Sequence, residues 1–565
     1  MAKKKTTSAA KTTKKTSVEK PRKSPEGAGG GAGPGKAPKK SEEKPNSDPG
    51  GGTPEGAEEV HNLYEHRLEK LKEGLAQGEN PYARSYKRSH SIQELLEAAE
   101  AAKSGEAAKS GEAPDQVFEI AGRVRSRRLM GKAGFLDLED ETGRIQLYGA
   151  QKALGESFGN LTDLDLGDII GARGELFTTK TGQDSLRLES FTLLAKCLRP
   201  LPAVKEADGK KYYAFADREQ RYRQRYVDLI VNPEVRETFT IRSRLISYIR
   251  QELIDRGYLE VETPMMQAIP GGASARPFMT HHNALGMDLY LRIAPELYLK
   301  RLLVGGFGKV FELNRNFRNE GISYKHNPEF TMLELYEAYG DMESMLALCE
   351  ELISGAALRL LGKTVVAYED HEIDLTPPWT QMTFVEVIEK FAGARFQDGM
   401  SAEEARAEAL RAGLSEEDVA DLPTVWKVAE AVFDEKVEKK LIQPIFVTHY
   451  PKELSPLAKA WPVNPNFVER FEPYVAGREI GNAFSELNDP VDQKARFEEQ
   501  VRERESGEGE GGYMDHDYVR ALEYGMPPAG GMGIGIDRLT MLLTGHHSIR
   551  DTILFPLLRP EKTDE

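Results

Sequence analysis

The chain is poor in cysteine. Among its 565 residues, only Cys197 and Cys349 carry a thiol. Two cysteines are too few for a disulfide framework or a four-ligand zinc site, and such a low content is typical of a reducing compartment. We therefore expect a cytoplasmic protein.

Long apolar runs are also missing. No stretch approaches the roughly 20 consecutive apolar residues of a membrane-spanning helix, and the N-terminus lacks the apolar core of a secretory signal. A hydrophobic content of 39% is still enough to build packed cores. Because a chain of this length exceeds one core, the sequence predicts a soluble protein of several domains with no membrane partner.

Charge is distributed unevenly along the chain. Residues 1–45 hold thirteen Lys or Arg and four Glu, a net charge of +9, so the other residues carry −24 of the total of −15. Residues 1–59 have almost no large apolar side chain, so burial cannot offset their ordering entropy. We expect a disordered basic tail, which is either a solubilising extension or a weak, sequence-independent RNA tether. Its Lys-rich, Gly- and Pro-broken composition disfavours a mitochondrial presequence.

The remaining chain divides into four segments. Residues 60–116 have helical periodicity and end in a linker. Residues 117–201 contain about five short strands with glycine at the turns, which is typical of a closed barrel such as an OB-fold. A linker is expected at 202–220, and 221–565 should form one large domain with a helical insertion at about 344–440. The expected fold class is α+β, with a barrel followed by an antiparallel sheet flanked by helices.

Segment 310–339 is rich in chemically active side chains. It has the pattern of a strand, a charged loop and a second strand. The loop contains Arg318, Glu320, Lys325 and His326. Alternation on the second strand places four side chains on one face: Phe330, Met332, Glu334 and Tyr336. Charges so close to apolar strands often mark a working site, although satisfied ion pairs and a locally bonded histidine would give the same pattern.

A hairpin pattern occurs in a second polar segment, RFEPYVAGREIGNAFSELND. If Ala476-Gly477 is a two-residue turn, Tyr474 opposes Glu479, and Glu472 lies diagonally on the same face. Two converging carboxylates suit Mg²⁺, which keeps waters and bridges substrate phosphates. Exposed glutamates without a ligand would have the same spacing.

Three segments together resemble the sequence motifs of class II aminoacyl-tRNA synthetases, specifically the bacterial lysine enzymes of subclass IIb. GYLEVETPMM, after a helix predicted at about 237–256, is similar to motif 1, the dimer-forming element. Segment 310–339 is similar to motif 2, and GMGIGIDRLTMLL at 531–543 is similar to motif 3. They occur in the family's order. The resemblance covers about 117–560 and leaves the basic low-complexity N-terminal extension outside.

The resemblance implies a lysine-tRNA ligase reaction. ATP would activate L-lysine as lysyl-adenylate with release of pyrophosphate, and lysine would then pass to the 3′ end of tRNA(Lys). Because a carboxylate attacks the α-phosphate, the site must neutralise crowded oxyanions and align the reactants. The implied ATP-binding residues are Arg318, Glu320, Lys325, His326, Phe330 and Arg538. Arg318 on the α-phosphate and Arg538 over the adenine, opposite Phe330, would be the catalytic residues.

The resemblance also implies an acidic lysine pocket and a metal site. The lysine-binding residues would be Gly272, Glu296, Glu334, Tyr336, Asn482 and Glu486. Glu486 would bind the ε-ammonium group, Glu296 the α-ammonium group and Asn482 the carboxylate. Glu472 and Glu479 would hold magnesium, with about two to three Mg²⁺ per active site expected of the family.

The barrel resembles the anticodon-binding domain of subclass IIb. Phe135 and Gln146 fall where anticodon bases are stacked and hydrogen-bonded, although a lone strand aromatic is more often a core residue. A third contact, near Glu189 and Ser190, is open. The expected partners are thus tRNA(Lys), L-lysine, ATP and a second copy of the chain, paired through motif 1.

Three other functions are weaker fits to the sequence. A paralogue that attaches lysine to a protein resembles only the catalytic half, so the barrel disfavours it. An inactive RNA-binding paralogue is disfavoured by the intact Arg318, Glu472, Glu479 and Arg538. Aspartate and asparagine synthetases share the architecture, but three pocket carboxylates would repel aspartate.

Overall fold

The computed structural model describes residues 54–104, 116–202, 204–207, 210–213, 215–506 and 513–561. The chain divides into two units, 1–57 and 58–565, and the second contains all of the elements that follow the first helix, Pro54–Ala76. The tail predicted at 1–59 lies outside the described residues except for the first turns of this helix. Among the described helices, none is long and apolar enough to cross a membrane.

Five strands close a barrel in the order β1-β2-β3-β5-β4. They are β1 (Val117–Met130), β2 (Ala133–Glu139), β3 (Arg144–Ala150), β4 (Ile169–Thr178) and β5 (Asp184–Ala195). Alternate side chains of β1 and β2, such as Ile120 and Leu136, are buried because successive residues face opposite sides of a strand. The barrel expected from the strand pattern is confirmed.

Short elements surround the barrel. Helix Ile92–Ser104 packs on it and begins at a hydrogen bond of 2.9 Å from the Ile92 backbone N–H to Asp140. Two further helices, Gln151–Leu154 and Ser157–Asp163, connect β3 to β4. The segment predicted as a linker, 202–220, instead contains a hairpin of β6 (Val204–Ala207) and β7 (Lys210–Tyr213). Valine and tyrosine in these strands favour extended backbone.

The large domain is built on a nine-stranded sheet, to which a three-stranded sheet and a separate hairpin are added. The strands are β8 (Leu259–Glu260), β9 (Met266–Gln267), β10 (Met279–His282), β11 (Met287–Leu291), β12 (Lys309–Phe317), β13 (Glu329–Ala338), β14 (Val365–Tyr368), β15 (His371–Asp374), β16 (Thr380–Thr383), β17 (Ile445–Thr448), β18 (Arg470–Val475), β19 (Arg478–Glu479), β20 (Gly481–Ser485) and β21 (Ala529–Gly535).

The nine-stranded sheet is antiparallel at its centre. Its order is β16-β17-β18-β20-β21-β13-β12-β8, with β19 paired to β18, and the two edge pairs β16–β17 and β12–β8 are parallel. Helices Pro233–Asp255, Met342–Leu361 and Ile536–Thr544 cover one face and share a core with Leu333 and Leu335 of β13. The opposite face is therefore left for a ligand.

Helices surround this sheet. They are Arg218–Arg223, Arg225–Val231, Pro233–Asp255, Glu296–Val304, Met342–Leu361, Phe384–Ala392, Ala402–Arg411, Glu416–Val419, Val425–Val432, Pro490–Ser506, His516–Glu523 and Ile536–Thr544. Two of them begin at a serine or threonine that exchanges hydrogen bonds with the glutamate three residues later, each side chain accepting from the other residue's backbone N–H: Thr383 with Glu386, and Ser401 with Glu404.

The insertion predicted as helical over about 344–440 is only partly helical. Its first helix ends at Gly362, whose φ of +72° suits a glycine. The hairpin of β14 and β15 and the edge strand β16 follow, because the run VVAY combines β-branched and aromatic side chains. Helices resume only at Phe384.

Candidate active site

A cavity of about 340 Å³ lies on the face of the sheet that the helices leave open. Alternation on β13 sends Leu333 and Leu335 into the core, while Glu334 and Tyr336 face the cavity. The cavity walls include every side chain predicted to bind ATP, lysine or magnesium: Gly272, Glu296, Arg318, Glu320, Lys325, His326, Phe330, Glu334, Tyr336, Glu472, Glu479, Asn482, Glu486 and Arg538. Residues separated by more than 200 positions thus meet in one place.

Cations and an aromatic ring occupy one end of the cavity. The guanidinium carbon of Arg318 lies 5.2 Å from the centre of the Phe330 ring. Burial lowers the pKa of Arg318, although Glu320 and Glu479 oppose the shift, and its Nε atom has no hydrogen-bond partner among the described residues. A buried guanidinium with an unused donor can bind an anion.

The other cations at this end are already paired. Arg538 donates hydrogen bonds to the backbone oxygen of Glu479 at 2.8 Å and to its carboxylate at 3.0 Å. Lys325 makes an ion pair of 3.0 Å with Glu438, which belongs to the insertion. Burial and the charge of Arg538 lower the pKa of His326, so its imidazole is neutral at pH 7.

Glu472 and Glu479 lie beside each other in the hairpin of β18 and β19. The register pairs Tyr474 with Glu479 around the Ala476-Gly477 turn, as the sequence predicts, and both turn residues have positive φ. Burial raises the pKa of Glu472, and the negative charge of Glu479 adds to the shift against the attraction of Arg470.

Glu472 is held by three donors. Tyr450 and Tyr474 donate to one of its oxygens at 2.8 and 2.7 Å, and Arg470 donates to the other at 2.5 Å. No three acidic, histidine or cysteine side chains within the described ranges are grouped as a metal site. Two adjacent carboxylates fit Mg²⁺ only if phosphate oxygens and waters complete its shell, which is how Mg²⁺ usually binds with nucleotides.

The opposite end of the cavity is acidic. The three glutamates there are Glu296, Glu334 and Glu486, all buried. Burial raises the pKa of Glu334 to about 8, and Tyr336 donates a hydrogen bond of 3.1 Å to it. Asn482 accepts a hydrogen bond of 2.8 Å from Arg470.

Two glycines keep this end open. Gly272 has a φ of +86°, and a Cβ there would lie 3.0 Å from the Glu296 side chain. A Cβ on Gly531 would lie 1.9 Å from Oε1 of Glu486. Gly531 was not among the predicted residues, because only the pairing of β21 with β13 brings it beside Tyr336.

Two charged residues of the cavity region were also missed. Arg470 bridges Glu472 and Asn482. Lys300 makes ion pairs with Glu296 and Glu486. Lys300 follows Glu296 by four positions on one helix, and this spacing is a sequence signal for a side-chain pair.

The residues predicted to read RNA lie on the barrel and not in the cavity. Phe135 begins a row of rings, with 5.2 Å between the centres of Phe135 and Tyr148 and 5.9 Å between those of Tyr148 and Phe177. Arg187 lies over the Phe177 ring at 4.8 Å. Gln146 is nearly buried and accepts a hydrogen bond of 3.2 Å from Ser185.

The family models agree with this architecture. Residues 217–559 match the model of tRNA synthetases class II (D, K and N), and residues 118–201 match that of the OB-fold nucleic acid binding domain. The fold and the cavity thus define a class II aminoacyl-tRNA synthetase with an OB-fold domain.

Curated relatives narrow the class. The lysine–tRNA ligase of Pelotomaculum thermopropionicum is 54% identical over 507 residues, which cover 89% of this chain and 96% of the relative. Those of Syntrophomonas wolfei and Carboxydothermus hydrogenoformans are each 52% identical over 89% of this chain, covering 98% and 99% of the relatives. The chain belongs to the lysine–tRNA ligase family.

Proposed function

We propose that the chain is a lysine–tRNA ligase that uses ATP to form lysyl-adenylate and pyrophosphate, and then transfers lysine to the 3′ end of tRNA(Lys). The observation that carries the proposal is the polarity of one cavity, with guanidinium groups at one end and three buried glutamates at the other. A triphosphate fits the first end and a diamino acid fits the second.

Arg318 and Arg538 are the proposed catalytic residues. Arg318 has an unused Nε donor, so its guanidinium group can hold the α-phosphate. Its guanidinium also lies over the Phe330 ring, on which the adenine would stack. Arg538 would cover the other face of adenine. Guanidinium charge beside the α-phosphate stabilises the extra negative charge that develops as the lysine carboxylate attacks.

Glu320, Lys325 and His326 complete the proposed ATP site. Glu320 would accept from the adenine edge. The neutral imidazole of His326 would donate to a phosphate without adding charge. Lys325 would exchange its ion pair with Glu438 for a phosphate contact.

Glu472 and Glu479 are the proposed magnesium ligands. Bound Mg²⁺ would supply positive charge to the triphosphate and help pyrophosphate to leave. Arg470 and the two tyrosines hold Glu472 in one orientation, so the carboxylate is set before a ligand arrives.

Glu486 is the proposed partner of the lysine ε-ammonium group, and Glu296 that of the α-ammonium group. Tyr336 and Glu334 also line this pocket, and Asn482, another lining residue, would meet the substrate carboxylate. An amino acid with a neutral side chain would bring one ammonium group fewer to the three buried glutamates, which share only the cation of Lys300, and a missing buried charge partner costs about 2–5 kcal/mol or more. Lysine selectivity follows.

The barrel is the proposed anticodon-binding surface. Phe135 heads a row of three rings, and bases stack on such rings with roughly 1–3 kcal/mol each. Gln146 would contribute a base hydrogen bond through its remaining polar atoms. The third contact near Glu189 stays a prediction, since that carboxylate pairs with Arg173 at 3.3 Å.

A homodimer through motif 1 is also proposed. Apolar side chains are exposed along β8 to β11, including Met266 at 57%, Met279 at 64% and Leu285 at 68%. Clustered exposed apolar groups of this kind mark an interaction surface. The enzyme would act in the cytoplasm, because it serves translation and its two cysteines are free, as is typical of a reducing compartment.

ATP–pyrophosphate exchange with each of the twenty amino acids tests the first half-reaction. Lysine alone should support exchange, and Glu486→Gln should raise the lysine KM at least about a hundredfold, by removing a buried charge pair, while the ATP KM changes little. Glu329→Gln, an exposed glutamate of β13, is the matched control. Strong exchange with another amino acid would contradict the lysine assignment.

Aminoacylation of total tRNA tests the second half-reaction. Charging should be confined to tRNA(Lys). A preparation that exchanges pyrophosphate but charges no tRNA would instead favour a ligase that modifies a protein.

A further inference from the structure

A buried lysine of the chain itself, behind the wall of the cavity, contacts two of the glutamates at the acidic end. Lys300 is on helix Glu296–Val304, one turn after Glu296, and is 0% exposed. Its Nζ atom lies 2.6 Å from Oε1 of Glu296 and makes an ion pair with Glu486. The same atom lies 5.2 Å from the centre of the Phe484 ring. A resident ammonium group therefore joins the two carboxylates proposed to hold the ammonium groups of the substrate.

The charges at this end can be counted. The titratable side chains that face Lys300 and its partners come from three elements and the residue after β20: Glu296, Glu334, Tyr336, Glu486 and Tyr518. Burial raises the pKa of both tyrosines, so they are neutral. Glu334 carries a proton at pH 7 in the free protein, and the ammonium groups of bound lysine favour its ionised form. In the lysine-bound pocket, three ionised carboxylates and the ammonium group of Lys300 give a net charge of −2. The two ammonium groups of lysine balance this charge. Because buried charges are tolerated only when they are paired, a pocket of this charge suits a ligand with two ammonium groups.

We propose that Lys300 is a positioning residue that neutralises one of the three pocket carboxylates, so that two negative charges remain for the two ammonium groups of a diamino acid. The inference rests on the proposed lysine activation. With a neutral side chain at position 300, three carboxylates would face two ammonium groups. The charge of Lys300 opposes the raised pKa of Glu486, so its loss favours protonation of Glu486, the proposed partner of the substrate ε-ammonium group.

Two further observations agree with this role. Neither oxygen of Glu486 has a hydrogen-bond partner of good geometry among the described residues, so the carboxylate keeps acceptor capacity beside its ion pair. Burial raises the pKa of Glu486, and Glu296 and Glu334 add to the shift against the attraction of Lys300. Burial alone would lower the pKa of Lys300, but the charges of Glu296 and Glu486 outweigh it and raise it. Lys300 therefore stays charged, and its charge favours the ionised form of Glu486.

Lys300→Met tests the proposal, because methionine keeps most of the side-chain volume and removes the charge. The lysine KM in ATP–pyrophosphate exchange is measured between pH 6.5 and 9.5. At pH 7 it should rise at least about tenfold, the equivalent of one pKa unit, and recover as the pH rises, while the ATP KM stays within about twofold. Lys309→Met is the matched control, since it removes a lysine paired with Glu337 at 2.8 Å outside the cavity.

A second variant restores the charge balance. Lys300→Met/Glu334→Gln has two carboxylates and no resident ammonium group, so its lysine KM at pH 7 should fall at least about threefold below that of the single variant. If Lys300→Met fails to fold, the double variant should still fold. A lysine KM raised equally at every pH, or a double variant no better than the single one in KM and folding, would show that Lys300 acts by packing alone and would overturn the proposal. Absence of lysine-dependent exchange in the unmodified chain would overturn the proposed function instead.

Discussion

Glu334 connects the protonation of one residue to the stability of the whole chain. Burial, with a contribution from Glu296, raises its pKa from the ordinary 4.5 to about 8. A carboxyl group whose pKa is higher in the folded than in the unfolded state binds more protons when folded. The stability that this proton provides is full below pH 4.5 and is lost as the pH rises through about 8.

We therefore expect the free energy of unfolding of the ligand-free protein to fall between pH 6 and 8. One such group contributes at most about 1.4 kcal/mol per pH unit. Urea unfolding across this range measures the slope. Glu334→Gln should reduce it, and saturating lysine should reduce it too, because ammonium groups favour the ionised carboxylate. Glu329→Gln should keep the original slope, and an unchanged slope in Glu334→Gln would contradict the assignment.

Gly531 is a second residue whose effect can be measured directly. A Cβ added to Gly531 would lie 1.9 Å from Oε1 of Glu486 and 2.6 Å from the Tyr336 ring, so both side chains need the space that glycine leaves. Gly531→Ala should displace both side chains and raise the lysine KM at least about tenfold while the ATP KM changes little. Gly308→Ala is the control, because a Cβ there meets no atom within 4 Å. Equal lysine KM values for the two variants would show that the space is not needed.

At the scale of elements, the sequence was most informative where one strand carries both core and site. The alternation on β13 separated Leu333 from Glu334 correctly, because the period of two is strict within a strand. The turn at Ala476-Gly477 likewise fixed the register of β18 and β19. Arg470 and Gly531 were missed because their contacts with Asn482 and Glu486 arise between elements, which local patterns do not encode. The spacing of Lys300 and Glu296 is a local signal for a pair, but the contact of Lys300 with Glu486 also arises between elements.

Whether a segment forms a helix, a strand or a loop was harder to predict between the main strands of the large domain and before its first helix. Segment 202–220 is predicted as a linker because it follows the Pro-rich joint Pro200-Leu201-Pro202, and about 344–440 is predicted as a helical insertion. Both contain short strands, β6 and β7 in the first and β14 to β16 in the second. Strands of four residues hold too few periods for alternation to be recognised, and pairing with a neighbour, as β16 pairs with β17, decides their conformation.

The row of rings on the barrel gives a prediction for that domain. Tyr148→Ala should raise the tRNA KM in aminoacylation about five- to a hundredfold, because a stacked base contributes roughly 1–3 kcal/mol. Pyrophosphate exchange, which needs no tRNA, should not change. Tyr524→Ala removes an exposed aromatic ring elsewhere and is the control. A tRNA KM within about twofold of the unmodified enzyme would exclude Tyr148 from the RNA surface.

At the scale of the whole molecule, helix Pro233–Asp255, which contacts β8 at one end of the proposed dimer surface, also contacts the ATP end of the cavity. Arg242 of helix Pro233–Asp255 makes an ion pair of 2.7 Å with Asp537 and donates a hydrogen bond of 3.0 Å to Thr331. Asp537 also accepts from the Thr331 backbone N–H at 2.7 Å. Thr331 and Asp537 are the chain neighbours of Phe330 and Arg538, so the helix braces both proposed adenine contacts.

We therefore expect that a mutation in the proposed dimer surface produces a monomer and that the monomer is less active. Leu285→Glu places a charge on the exposed apolar surface and should halve the mass measured by light scattering at micromolar concentration. Loss of the partner subunit should lower kcat for pyrophosphate exchange, because helix Pro233–Asp255, which holds Thr331 and Asp537, would then lose its support from the dimer interface. Val463→Glu, at an exposed site outside this surface, should remain a dimer. An unmodified chain that is monomeric under these conditions would refute the interface.

The ion pairs of the free cavity have a consequence for what can enter it. Arg538 is held by Glu479, Lys325 by Glu438 and Lys300 by two glutamates. To contact one of these three cations, a small anion that carries one charge must break the existing pair to form one new contact, and it gains little. A ligand with several charges replaces several pairs in one event. At these three cations the site thereby discriminates by valence, and common monovalent anions of the cell are poor competitors there.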